Sequence, residues 1–184
     1  VFSKYGPRRR RPHNGVDIPL KMYEPIYATF EGKVRYSKFN TGGFGNLIII
    51  RHLNGLETWY AHLSRNNVKE GDYVKAGQVI GFSGNTGRSR GPHLHFEMRY
   101  CDQTFDPEFL IDFENGQLKY LTFMLEKKFF NIYSRASELL EEEEDLNFPL
   151  LSDDSAPVKA ENAERESREI WHIVKSGDML GKLA

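Results

Sequence analysis

The stretch GNLIIIRHLNGLETWYAHL, residues 45–63, decides the fold. It holds two short runs rich in β-branched and aromatic residues with a turn around Gly55 between them, and this pattern predicts two strands, Asn46–His52 and Glu57–Leu63. Leu47–Ile50 is continuously apolar instead of alternating. We therefore expect that part of the first strand to be buried on both of its faces.

Four further runs of the same kind occur in the first 110 residues, and glycines separate them. Glycine adopts positive φ at turns without a steric penalty, so glycines between short apolar runs are typical of a β-protein. The predicted strands are Ile26–Phe30, Lys33–Lys38, Gln78–Ser83 and His93–Arg99. Because no segment before residue 110 has a convincing helical period, we predict an all-β fold for this part of the chain.

Charge divides the chain into two parts of different character. Residues 1–110 hold 16 Lys and Arg against 10 Asp and Glu, a net charge of +6. Residues 111–184 hold the other 9 Lys and Arg against 16 Asp and Glu, a net charge of −7, so the whole chain carries −1. The polar stretch SDDSAPVKAENAERESRE, residues 152–169, has almost no large apolar side chains, and this composition is typical of a linker.

Composition excludes several classes of protein. The chain has no apolar run of about 20 residues, the length that crosses a bilayer as a helix. Its single cysteine, Cys101, excludes an internal disulfide and a cysteine-based metal cluster, so a metal site has to use histidine and carboxylate ligands. The opening VFSKYGPRRRRP is not a signal peptide. We expect an upstream region, because the first residue is Val1 and the motifs begin almost at once.

Five residues in three short motifs carry the chemistry. His13 and Asp17 lie in RPHNGVD, His62 in YAHLS, and His93 and His95 in GPHLHFE. A catalytic zinc site needs three protein ligands and an open position for water, usually with nearby side chains that transfer protons. These five side chains can supply the whole set, so we interpret the chain first as a zinc hydrolase.

Strand geometry places these residues on common faces. Side chains two apart on a strand point the same way and lie roughly 6.6 Å apart along the chain, at about 3.3 Å per residue. His93 and His95 therefore share a face, so one can bind a metal ion while the other faces the substrate. His13 and Asp17 also share a face if their segment is extended, and Pro19 favours this because it discourages a helix through Asp17.

Each motif alone has a simpler interpretation. Histidines on strands are often structural, and His62 by itself would be interpreted as a partly buried side chain bonded to a neighbouring carbonyl. His52 sits at a strand end before a turn, and we interpret it as structural. His172 lies beyond the linker and has no role in the zinc site. The three motifs together, each in a distinctive local sequence, favour the zinc site.

Longer motifs resemble a known family. They are RPHNGVDIP, GGFGNLIIIRH, TWYAHLS, VKEGDYVKAGQVIGFSGNTGRSRGPHLHFEMR and FDPEFL, and in order and spacing they follow the lysostaphin-like zinc metallopeptidases, which cut peptidoglycan cross-bridges. The resemblance covers nearly all of residues 1–110. It implies an antiparallel, barrel-sandwich-like peptidase domain in which His13, Asp17 and His95 bind one zinc ion. His62 and His93 are then the catalytic pair.

This ligand set has a defined chemistry. Zinc held by two imidazoles and a carboxylate lowers the pKa of bound water towards about 7 and polarises the scissile carbonyl. We predict that His93 is the general base that accepts the water proton. We predict that His62 stabilises the developing oxyanion or protonates the leaving amine. The sequence also allows the two roles to be exchanged.

Two neighbouring features have competing interpretations. The run Arg8–Arg11 either forms a basic rim that attracts the carboxylates of peptide stems or, as we favour, is a solvated turn. The loop GNTGRSRG, residues 84–91, has the glycines of a phosphate-binding loop but lacks its lysine and its following helix. We predict instead a tight loop that presents His93 and lines a groove. Cys101 is expected to have no catalytic role.

The C-terminal part divides into three segments. Residues 111–151 are predicted to form an extension, with a strand through about Phe130 and an α-helix over residues 131–146. The linker of residues 152–169 follows. Residues 170–184 contain WHIVKSGDMLGKLA, which resembles the opening of a LysM module, a small fold that binds glycans containing N-acetylglucosamine. About a third of such a module is present, so we expect a fragment of a longer protein that does not bind glycan as it stands.

Three functional hypotheses follow. The leading one is a zinc endopeptidase in the periplasm or outside the cell that hydrolyses peptide cross-links of bacterial peptidoglycan, with stem peptides and glycan strands as partners and no nucleic acid. The second is a catalytically inactive cell-wall-binding or amidase-activating module, which would bind no zinc. The third is a group carrier, because VKEGDYVKAGQVIG resembles the hairpin of lipoyl-type and sugar-phosphotransferase domains. No lysine lies at the hairpin tip, however, and a phosphocarrier does not need Asp17.

Overall fold

The structure is a computed structural model that describes residues 1–120, 123–133 and 172–174. Its strands are β1 (Val16–Pro19), β2 (Pro25–Tyr27), β3 (Gly32–Asn40), β4 (Gly45–Arg51), β5 (Leu56–Leu63), β6 (Arg65–Asn66), β7 (Tyr73–Val74), β8 (Val79–Phe82), β9 (His93–Tyr100), β10 (Gln103–Phe105), β11 (Ile111–Asp112), β12 (Gln117–Leu118), β13 (Phe123–Leu125) and β14 (His172–Val174). Two 3₁₀ helices, Pro107–Phe109 and Lys127–Phe130, are the only helical segments among the described residues. The predicted all-β fold is confirmed.

All strand pairs are antiparallel, and seven strands form one large sheet. Its order is β1-β9-β5-β4-β3-β7, with β10 also paired to β9. A second sheet has the order β2-β8-β6, and β11–β12 and β13–β14 form separate two-stranded pairs. The long strand β9 therefore lies between β5 on one side and β1 and β10 on the other.

The continuous apolar run on β4 is buried on both faces, as predicted. Leu47, Ile48, Ile49 and Ile50 are each at most 3% exposed. Ile48 and Ile50 belong to the main hydrophobic core, whereas Leu47 and Ile49 form a smaller cluster with Ala61. Because side chains alternate along a strand, the two clusters lie on opposite faces of the large sheet.

Residues 126–130 do not form the strand that was predicted for this part of the extension. The expected strand through about Phe130 ends at Leu125, and a 3₁₀ turn follows. A strand would send Phe129 and Phe130 to opposite faces. In the turn, Phe129 is 1% exposed and Phe130 packs against the same core. Packing of both rings against one core explains the correction.

Several predicted segments lie outside the described residues. They are most of the expected helix over 131–146, the linker of 152–169, and all of the LysM-like tail except the backbone of β14. That short strand pairs with β13. Among the residues that the structure describes, none belongs to a helix long and apolar enough to span a bilayer.

Candidate active site

Strand pairing positions the first two members of the candidate site. In the register of β1 with β9, Asp17 lies directly opposite His95. His13 precedes β1 and is held by a two-residue bridge, in which its backbone exchanges hydrogen bonds of 2.8 and 3.0 Å with Gly6. His95 lies 78 positions after Asp17 and 82 positions after His13 in the sequence, and these backbone contacts bring the three residues together.

Three side-chain atoms converge at this point. His13 Nε2 lies 3.0 Å from Asp17 Oδ1 and 3.1 Å from His95 Nδ1, and the last two atoms are 2.9 Å apart. The three residues are 6%, 7% and 8% exposed. A tetrahedral zinc site with bonds of about 2.1 Å separates its ligand atoms by roughly 3.4 Å, so this set needs little movement to hold an ion. Two nitrogens and one carboxylate oxygen are also suitable ligands for zinc.

The second ring nitrogen of each histidine has its own acceptor. His13 Nδ1 donates to the carbonyl of Lys4 over 2.7 Å, and His95 Nε2 donates to Glu97 Oε1 over 2.8 Å. In a neutral ring, such bonds select the tautomer in which the other nitrogen carries the lone pair. His13 Nε2 and His95 Nδ1 are therefore the nitrogens available to a metal ion.

The second carboxylate oxygen of Asp17 is also engaged. Arg8 Nη2 donates to Asp17 Oδ2 over 3.1 Å, and it also contacts Ser3 Oγ. Arg8 is exposed, as expected for a solvated turn, and its guanidinium also pairs with the Asp17 carboxylate. Residues 9–11 are exposed, and no ion pair involves them in the described part of the chain.

Electrostatics at the three-residue cluster favour positive charge. Burial tends to raise the pKa of Asp17, but hydrogen bonds from His13 and His95 outweigh it and hold that pKa well below its usual range. Burial tends to lower the pKa of His95, but the Asp17 and Glu97 carboxylates outweigh it and raise the pKa to about 9. The carboxylates thus favour a cation here, either a proton or a metal ion, and the two compete.

A β-bulge turns His62 towards the same cluster. Ala61 lies opposite His95 in the β5–β9 register, so strict alternation would send His62 to the other face. The β4–β5 register shifts between Asn46 and Ile48, and His62 has a φ of 63°, in the left-handed region. The extra residue of a bulge redirects the side chain. The His62 ring lies 5.8 Å from that of His95, centroid to centroid.

The two remaining histidines form a pair beside the three-residue cluster. The rings of His62 and His93 are 4.8 Å apart, and His93 Nε2 lies 3.7 Å from Asp17 Oδ1. His62 Nδ1 donates to the Thr86 carbonyl over 2.8 Å. His93 Nδ1 lies 2.8 Å from the carbonyl of Gly91. Each ring therefore presents Nε2 as its unoccupied nitrogen.

Burial gives His62 a distinct protonation state. Burial is the main cause that lowers the pKa of His62 to about 4, and the nearby His93 and His95 rings act in the same direction. The ring is therefore neutral at pH 7, and its Nε2 carries no proton because Nδ1 donates to Thr86. His62 can donate from Nε2 only after it has accepted a proton.

All five residues line one groove of about 920 Å³. Residues of the N-terminal segment and of the glycine-rich turn at residues 42–44 line it. Residues 88–91 also line it, which confirms the prediction that the loop before His93 borders a groove. Sequence reasoning missed Glu97, although the even spacing in HLHFE places it on the face of His95, and it did not pair Arg8 with Asp17.

Two residues outside the groove behave as expected. His52 Nδ1 lies 2.7 Å from the carbonyl of Glu31, and its Nε2 lies 2.9 Å from Thr58 Oγ1, so this buried histidine is structural as predicted. Cys101 is exposed at the turn between β9 and β10 and does not line the groove.

Comparison with known proteins agrees with this geometry. The sequence model described as Peptidase family M23 matches residues 11–107, more than half of the chain. The chain belongs to Peptidase family M23. The matched region of the M23 chain contains all five residues of the site and strands β1 to β10.

Curated relatives resemble this M23 chain over about half of its length. The DD-carboxypeptidase/endopeptidase Mpg of Neisseria meningitidis serogroup B is 47% identical over 97 residues, which are 53% of this chain and 22% of the relative. Lysostaphin of Staphylococcus simulans is 48% identical over 86 residues, 46% of this chain and 17% of the relative. The chain thus spans less than a quarter of either protein.

Solved structures resemble the same region. The catalytic domain of lysostaphin from Staphylococcus simulans has a TM-score of 0.54 and 40% identity, and the match covers 57% of this chain and 86% of that one. A zinc-containing peptidase from Vibrio cholerae has a TM-score of 0.54 and 38% identity, covering 56% of this chain and 34% of that one. The predicted lysostaphin-type fold is confirmed. The LysM resemblance of the tail stays a prediction.

Proposed function

We propose that this chain carries the catalytic part of a zinc-dependent endopeptidase that hydrolyses peptide cross-links of bacterial peptidoglycan. The observation that carries the proposal is the convergence of His13, Asp17 and His95 in one groove, with two further histidines beside them. The names of the curated relatives, which include peptidoglycan DD-endopeptidases, support the substrate class.

One zinc ion would be held by His13 Nε2, Asp17 Oδ1 and His95 Nδ1. The three atoms lie about one tetrahedral edge apart, and the remaining polar atoms of the same side chains are already bonded to protein groups. When bound, zinc supplies an activated water molecule and polarises the scissile carbonyl. The Vibrio cholerae neighbour, described as a zinc-containing peptidase, agrees with this choice of metal.

His62 and His93 would then handle protons. In our proposal His93 accepts the proton of the attacking water, and His62 stabilises the oxyanion or protonates the leaving amine. Both rings are oriented by backbone carbonyls through Nδ1, which leaves Nε2 for the reaction. Because neutral His62 has no Nε2 proton, it has to receive one before it donates. Transfer between the adjacent rings would supply that proton.

The groove is suited to an extended peptide. It has a volume of about 920 Å³, and residues of the N-terminal segment, of the turn at 42–44 and of the loop at 88–91 line it. We propose that stem peptides bind there, and that the protein acts in the periplasm or outside the cell. The LysM-like tail, if completed in the whole protein, would add a contact to glycan strands.

Digestion of purified peptidoglycan sacculi tests the proposal. Sacculi of several cross-link types are incubated with the protein, with and without a chelator, and the products are identified by mass spectrometry. We expect new amine and carboxylate ends at cross-links, loss of hydrolysis with the chelator, and recovery on addition of zinc. A protein that binds no zinc and cuts no sacculus would instead support the non-enzymatic cell-wall module.

A further inference from the structure

Glu97 is a buried carboxylate in direct contact with a candidate metal ligand. It follows His95 by two residues on β9, so both side chains lie on the same face of the sheet. Glu97 is 1% exposed, and its Oε1 accepts a hydrogen bond of 2.8 Å from His95 Nε2. Nothing in the zinc chemistry proposed above requires this carboxylate to touch substrate.

The charge of Glu97 is balanced by a third residue on the same strand. Arg99 Nε donates to Glu97 Oε2 over 2.7 Å. The Arg99 guanidinium lies 3.7 Å from the centre of the Trp59 ring, which holds it in place. Because a buried carboxylate needs a partner, the ion pair with Arg99 compensates the burial of Glu97, and Glu97 Oε1 accepts the bond from His95 Nε2.

An acceptor at Nε2 decides how His95 presents its other nitrogen. In the neutral ring that would bind a metal ion, the imidazole keeps its proton on Nε2, its plane is fixed, and Nδ1 carries the lone pair that faces His13 and Asp17. A charged acceptor also makes Nδ1 a stronger donor to a metal ion. We propose that Glu97 is a positioning residue that orients His95 for metal binding, with Arg99 and Trp59 as its support. The inference rests on the proposed zinc site.

Glu57 offers a matched control on the neighbouring strand. It is 4% exposed and forms ion pairs with Arg35 and Arg51 of 2.6 and 2.8 Å. Its Oε2 also accepts from Trp59 Nε1 over 3.3 Å. Glu57 is thus a buried, arginine-paired carboxylate of the same sheet, and its hydrogen-bond and ion-pair partners in the described part of the chain include no candidate metal ligand.

Zinc affinity of two variants tests the proposal. Glu97→Ala and Glu57→Ala are titrated with zinc in competition with a coloured chelator, and both are compared with the unaltered protein. We expect Glu97→Ala to bind zinc about 10- to 100-fold more weakly. Glu57→Ala should stay within about twofold, because it leaves the His95 bond intact. Equal affinities for Glu97→Ala and the unaltered protein would overturn the inference, and so would equal losses in both variants.

Nuclear magnetic resonance of the zinc-loaded protein provides a second readout. We expect a His95 Nε2 proton that exchanges slowly with water in the unaltered protein and in Glu57→Ala, and at least about tenfold faster in Glu97→Ala. A proton equally protected in Glu97→Ala would contradict the positioning role. If the unaltered protein binds no zinc, the proposed function fails and this inference fails with it, whereas loss of the inference alone leaves zinc binding intact.

Discussion

The hydrogen bonds of each histidine in the groove determine which of its two ring nitrogens is available. His13 and His95 differ in which nitrogen faces the centre, because Lys4 and Glu97 occupy the other one. His62 and His93 have their Nδ1 atoms occupied by backbone carbonyls. The hydrogen-bond acceptor behind each ring therefore decides which nitrogen the ring presents, Nδ1 in His95 and Nε2 in the other three histidines.

Replacement of His93 separates metal binding from catalysis. His93→Ala removes the predicted general base but none of the three ligand atoms, so we expect zinc content equal to that of the unaltered protein. Hydrolysis should fall by about 10²- to 10⁴-fold. Metal analysis and product release from sacculi measure the two quantities. Asp17→Ala is the complementary variant and should lose zinc as well as activity. Retained turnover in His93→Ala would exclude the role given to this residue.

At the level of elements, the bulge on β5 depends on the loop that follows β8. Thr86 accepts the hydrogen bond from His62 Nδ1, and its hydroxyl donates to the Leu63 carbonyl over 2.7 Å and accepts from the Asn46 amide over 3.0 Å. Gly45 makes this contact close, since it has a φ of +67° and a Cβ there would lie 2.4 Å from Thr86 Oγ1. Gly45 at the start of β4 and Thr86 in the loop before β9 thus hold the His62 ring in position.

Substitution of Gly45 should therefore affect both stability and the site. Gly45→Ala places an alanine in a left-handed backbone conformation, which costs about 1–2 kcal/mol of stability. Its Cβ also clashes with Thr86, which costs about 1–3 kcal/mol more. We expect urea unfolding to show the combined loss and hydrolysis to fall because His62 moves. Gly116→Ala is the control, since Gly116 has a φ of +66° and nothing within 4 Å of its added Cβ. Equal destabilisation by both substitutions would show that the Thr86 contact is unimportant.

For the whole molecule, the hydrophobic core extends past the residues matched by the family. Phe129 contacts Phe109 and Phe123, with ring centroids 4.5 and 5.1 Å apart, and all three belong to the main core. The matched residues end at 107. We propose that residues 108–120 and 123–130 pack with the peptidase domain. The boundary at residue 110, the linker and the tail stay predictions.

Loss of the Phe129 ring should destabilise the entire domain. Phe129 is 1% exposed, and replacement of such a phenylalanine by alanine costs about 3–5 kcal/mol of unfolding free energy. Phe39→Ala is the control, because Phe39 is 57% exposed and its loss should change stability by at most about 0.5 kcal/mol. Chemical denaturation measures both. An unchanged midpoint for Phe129→Ala would mean that the extension does not contribute to the core.

Consecutive residues were sufficient to predict much of this molecule. Apolar runs and glycines located the main strands, because side-chain alternation and turn preference are properties of neighbouring residues. The same local rule placed His93 and His95 on one face, and the motifs named the five residues that the fold brings together.

Contacts between distant residues needed the folded structure. Alternation alone would have turned His62 away from the site, and only the register between β4 and β5 introduces the bulge that redirects it. The pairing of Arg8 with Asp17 and of Phe129 with Phe109 likewise joins segments far apart in sequence. The physical reason is that a local pattern reports which face a side chain prefers, whereas strand register and close packing depend on the energy of the whole chain.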